Sequence, residues 1–84
     1  MFLEALPEQI RHVRALASRV DANLEAATEL RRIAHKLGGS GTTFGFPEIS
    51  REGYLCSRAP DSDLPARADA LLRTLDAVAG DPSP

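Results

Sequence analysis

The chain has no tryptophan, one tyrosine and three phenylalanines among its 84 residues. Aromatic platforms for stacking bases are therefore scarce, which argues against a nucleic-acid binder. Its one cysteine, Cys56, cannot form an internal disulfide, which suits a reducing compartment and sets the cytoplasm as the expected location. No charge sign dominates: ten basic and twelve acidic residues give a net charge of -2, a field that favours neither nucleic acid nor an anionic membrane. No apolar run approaches the roughly 20 residues needed to span a bilayer. The opening MFLEALPEQI contains acids and lacks the basic segment of a secretory signal. Strand signals are missing as well, because β-branched residues are few and never alternate over a useful length. A chain this short is expected to form one domain over residues 1–84, burying about 60–65% of its unfolded surface around a thin core. That leaves little room for an enclosed substrate cavity, so function is expected at the surface.

Helical spacing is present in four places. The first, about residues 3–19, places Leu6, Ile10, Val13, Ala17 and Val20 on one stripe, with Pro7 early enough to be tolerated. The second, about 22–43, follows Asp21 as the expected N-cap and carries Ala26, Leu30, Ile33 and Leu37. Its phase continues through GGSG at 38–41 to Phe44, although each glycine costs a helix roughly 1 kcal/mol relative to alanine. Gly45 is the expected break. The third, 47–58, opens on Pro47 and should bury Ile49, Gly53 and Cys56, with Gly53 admitting a close neighbouring helix. The fourth, about 64–79, should bury Leu64, Ala68, Leu71, Leu75 and Val78, leaving 80–84 as a tail. Four amphipathic helices with short connections predict an all-α, antiparallel, up-down-up-down four-helix bundle.

With Leu30 set at zero and about 100° per residue, the apolar positions of the second helix cluster near 330°. His35 falls at about 140°, nearly opposite, so its imidazole should face water. Thr28, Arg31, Arg32, Gly38, Gly39 and Thr42 lie on the same face. Position alone would make His35 an ordinary solvated residue, and the arginine pair a solvated face. The glycines change the reading. A phosphoryl-accepting histidine must present a ring nitrogen in line with the leaving oxygen of a donor held in another protein's pocket. Glycine one turn on clears the approach, at a helical cost that fold stability alone would not favour. An imidazole with an ordinary pKa near 6.5 is mostly neutral, hence nucleophilic, near pH 7. Arg31, Arg32 and Lys36 could offset the phosphoryl charge and attract an acidic partner, with Thr28 and Thr42 as docking positions. His12 is the contrast: it also points outward, but no glycine clears space beside it. Cys56 is in phase with the core and reads as a packed thiol.

The run IAHKLGGSGTTFGFPEIS, residues 33–50, resembles the signature of histidine phosphotransfer domains. The matching positions are His35, Leu37 two on, Gly39 four on, the small pair Ser40–Gly41, then Gly45 and Phe46 before the next helix. FLEALPEQI at 2–10 resembles the opening helix of bacterial members. The resemblance implies a monomeric carrier without kinase activity. It would accept a phosphoryl group on His35 from a receiver aspartate and pass it to another, between hybrid histidine kinases and response regulators. It implies no cofactor on this chain, the Mg²⁺ being the receiver's. Many members have lysine where this chain has Gly38; here the nearest is Lys36. The phosphoacceptor domain of chemotaxis kinases is also similar, at TFGF in 43–46, but typically has that lysine and a glutamate near Ser57. Both are missing, which favours the relay role. A degenerate bundle that docks a receiver without accepting phosphate is a further alternative. The dimerisation helices of a histidine kinase fit less well, because Lys36, not an acid, follows His35.

Overall fold

The structure, a computed structural model, describes residues 2–80, with side chains from 4 to 79. It has four α-helices: α1 (Phe2–Ala17), α2 (Leu24–Thr43), α3 (Pro47–Arg58) and α4 (Leu64–Gly80). A 3-10 turn at Asp61–Asp63 leads into α4. No strand occurs among the described residues. Each helix packs on the next, and α4 closes back on α1, with α2 and α3 making the most extensive pair.

One apolar stripe from each helix forms the core. Leu6, Ile10, Val13 and Leu16 come from α1; Ala26, Leu30, Ile33 and Leu37 from α2; Ile49 and Cys56 from α3; Leu64, Ala68, Leu71 and Leu75 from α4. On α1 it is Leu16, not Ala17, that is buried in the core, while Ala17 and Val20 pack at its margin. The helix stops at Ala17, two residues before the expected end, because the Arg19 amide bonds the Leu16 carbonyl three residues back. The turn carries the chain to Asn23. Asn23, not Asp21, is the N-cap of α2: its backbone is extended (φ -137°, ψ 108°) and its side chain accepts from the Ala26 amide at 3.1 Å.

At the other end of α2 the expectation for Phe44 fails. Its phase matches the core stripe, but the helix ends at Thr43 and Phe44 is the C-cap, 54% exposed. Gly45 then takes φ +91°, a left-handed turn that side-chain-bearing residues rarely adopt. Phe44 still donates its amide to the Ser40 carbonyl at 3.1 Å, but its own ψ of 9° turns the chain out of the helix at that residue. Phe46 packs against the core instead, and Pro47 opens α3. Of the expected tail, Gly80 belongs to α4 and residues 81–84 lie outside the described residues. No described helix is long and apolar enough to cross a membrane.

Candidate functional site

His35 lies midway along α2 and is exposed. The edge of its surroundings is Tyr54 of α3: the two ring centroids are 5.6 Å apart with planes at 63°, the edge-on geometry that ring quadrupoles favour. No described residue forms a hydrogen bond with either ring nitrogen.

Two glycines make this contact possible. A Cβ at Gly53 would stand 2.6 Å from the Ala34 carbonyl oxygen and 2.8 Å from the Gly38 amide nitrogen, so α3 meets α2 backbone on backbone. A Cβ at Gly38 would stand 2.7 Å from two carbons of the Tyr54 ring. The space that Gly38 leaves is therefore filled from within the molecule. This corrects the expectation that Gly38 keeps an approach clear for a partner: it is buried, and what it admits is Tyr54. Gly39 is different. It is exposed, and a Cβ there would meet only the Tyr54 hydroxyl, at 3.9 Å.

The cations of α2 divide between its two flanks. Arg31 is half-buried and reaches α3's end, donating to the Ala59 carbonyl at 2.8 Å and to Asp61 Oδ1 at 2.7 Å. It ties α2 to the α3–α4 connection, contrary to the reading of a solvated residue free to meet a phosphoryl group. Arg32 is exposed and hydrogen-bonds Glu29 one turn back. That bond raises the arginine pKa further and holds the Glu29 carboxyl below its ordinary value. Arg32 and Lys36 line a groove with Gln9 and His12 of α1, on the flank of α2 away from Tyr54. Thr28 is exposed on the outer face. Thr42 is exposed too, but its hydroxyl donates to Ser50 Oγ of α3 at 2.7 Å, so it is turned toward the helix pair.

Ser50 is a buried hydroxyl with every bonding direction used. It donates to the Gly38 carbonyl at 2.6 Å and accepts from the Thr42 amide at 2.6 Å, besides the Thr42 hydroxyl. Gly38 and Thr42 are the two groups an α-helix pairs with each other. The serine thus bridges a rung of α2 just past the histidine.

Two site residues escaped sequence reading. Tyr54 directly follows Gly53 and lies outside the core phase of α3, so periodicity gives no reason to choose it. The available signal was the glycine at His35+3, which requires something large or nothing opposite. Arg58, one turn beyond Tyr54, places its guanidinium carbon 5.4 Å from the Tyr54 centroid, a cation–π contact. Cys56 between them is fully buried, and burial pushes its thiol up to about 11, so it is inert as a nucleophile at neutral pH. Among the described residues no three histidines, cysteines or acids group to hold a metal ion.

A family profile described as Hpt domain matches residues 1–81, nearly the whole chain, and the chain belongs to that family. Hpt domains carry phosphoryl groups in two-component signalling. No individual curated protein and no solved structure matches the chain.

Proposed function

We propose that this chain is a phosphorelay intermediate, with His35 as phosphoacceptor between the aspartates of two receiver domains. The observation that carries this reading is an exposed imidazole on the outer flank of α2, oriented by Tyr54, in a chain of the Hpt family. In the forward step a neutral ring nitrogen of His35 directs its lone pair at the phosphorus of the donor's aspartyl phosphate. The N–P bond forms, the P–O bond breaks, and its electron pair returns to the donor carboxylate. The second ring nitrogen keeps its proton until a base or solvent takes up the charge. The reverse chemistry delivers the group to the next aspartate. The Mg²⁺ that assists is assigned to the receiver, and none to this chain. A phosphocarrier needs positioning more than chemistry of its own, which suits a domain without an enclosed site.

The same reading takes the bundle as antiparallel and the chain as a cytoplasmic monomer. The link 44–46 is too short to run back along α2, whose twenty residues span roughly 30 Å. The core stripes of all four helices also face one another within one chain, leaving no second copy needed to complete the bundle.

The test is incubation with a set of phosphorylated receivers and mapping of the label. Acid-labile, base-stable phosphate on His35, absent from a folded His35→Gln, is the expected result. His35 is exposed, and exposed substitutions usually change stability within about 0.5 kcal/mol. A folded chain that binds receivers yet never takes label is a docking bundle instead. Label in the folded His35→Gln would place the acceptor elsewhere.

A further inference from the structure

A phosphoryl group on His35 brings negative charge to a flank of α2 where none of the expected cations stands ready. Arg31 is held by the Ala59 carbonyl and Asp61. Arg32 is held by Glu29, and both it and Lys36 line the groove toward α1, whereas the ring of His35 meets α3. Arg58 is placed otherwise. It is exposed, it lies one helical turn from Tyr54 on the same face of α3, and no carboxylate among the described residues lies within ion-pair distance of it. Its guanidinium is 5.4 Å from the centroid of the ring whose other neighbour, 5.6 Å away, is His35.

We propose that Arg58, parked on the Tyr54 ring, is the cation that pairs with the phosphoryl group carried by His35, and that Tyr54 is the positioning residue that holds imidazole and guanidinium on one platform. The inference rests on the phosphocarrier reading and names the group that serves it. Three physical points support it. Guanidinium is planar, always charged, and presents paired N–H donors that match phosphoryl oxygens. An exposed cation–π contact is weak beside a charge-assisted, two-point hydrogen bond to a phosphoryl group, so Arg58 can move from ring to oxygen without losing much. The platform is seated on the helix: Gly38 lets the Tyr54 ring lie directly against α2. No covalent step passes through either residue; the bond changes remain those at His35.

The test uses the intact chain, labelled with phosphoramidate or a phosphorylated receiver, and reads the phosphorus resonance of the phosphohistidine against pH. A nearby cation favours the dianion, so removing it must raise the pKa of the phosphoryl group. Arg58→Ala is expected to raise it by about half a unit or more, and Arg58→Lys to restore most of the difference. Tyr54→Leu, with Arg58 in place, is expected to shift it the same way and to alter the ring proton resonances of His35. The equilibrium of transfer from a phosphorylated receiver onto His35 should become about tenfold less favourable for Arg58→Ala, since the lost pairing stabilises the group only while His35 carries it. If Arg58→Ala is poorly folded, Arg58→Gln gives the same reading with the side-chain length kept. A labelled wild type whose titration is unchanged in a folded Arg58 variant overturns this inference and leaves the phosphocarrier standing. A wild type that takes no label from either donor overturns both.

Discussion

Adding one methyl group at Gly38 sets two effects against each other. In an isolated helix, alanine would gain about 0.8–1.0 kcal/mol over glycine. In this molecule the new carbon would sit 2.7 Å from the Tyr54 ring, well inside contact distance. Overpacking typically costs about 1–3 kcal/mol, so the clash should win and Gly38→Ala should lower the melting temperature. Tyr54 is half-buried, so the ring could also swing outward, which would break its contact with His35. The decisive measurement is a double-mutant cycle by thermal unfolding. In a Tyr54→Ala background the clash is gone, and Gly38→Ala should change sign and stabilise. The same destabilisation with and without the tyrosine would mean that Tyr54 is not what requires glycine there.

Ser50 acts on the helix pair as a unit. Its hydroxyl joins the Gly38 carbonyl, the Thr42 amide and the Thr42 hydroxyl, so α3 is fastened to α2 by bonds that also belong to the helical ladder. Ser50→Ala removes the link but lets Gly38 and Thr42 bond each other, so the cost should be moderate, about 1–2 kcal/mol by chemical denaturation. Arg31→Ala should cost less, about 1 kcal/mol, because one of its two bonds goes to the largely exposed Asp61, where water screens the pairing. A Ser50→Ala variant as stable as the wild type would show the bridge to be incidental. These same elements show what a sequence can convey. The four helices and nearly all their core residues follow from apolar spacing, because phase around one helix decides which residues face inward. Distance to the next helix does not follow from phase. Gly38 and Gly39 therefore looked alike as a pair, although one lies under Tyr54 and the other is open. Arg31 looked solvated because its partners lie 28 and 30 residues away, beyond a turn whose path periodicity does not describe. Phe44 was in phase with a helix that had already ended. His35 was legible because exposure is a property of its own helix; Tyr54 was not, because its role comes from the neighbour.

At the scale of the whole molecule, the question is what another protein meets when it approaches His35. The near-balanced charge supplies no strong long-range steering, so fit over the outer flank of α2 must matter more. Gly39 is the place to test that fit. It is exposed, four residues after His35, and a Cβ there has room, the nearest atom to it being the Tyr54 hydroxyl at 3.9 Å. The helix should gain from replacing it, by up to about 1 kcal/mol. A bulky side chain would nevertheless stand one turn from the imidazole, where a receiver's active-site loop has to come down. A displacement of about 1 Å at the reacting atoms can cost around 100-fold in rate. Gly39→Gln is therefore expected to melt at the same temperature or higher, yet accept phosphate from a receiver about 100-fold more slowly. Phosphoramidate needs no protein interface, so its labelling of His35 should change little. The contrast between the two donors on one sample separates docking from chemistry. Slowing with both would mean that the glutamine disturbs His35 itself, and slowing with neither would mean that receivers approach over a different face.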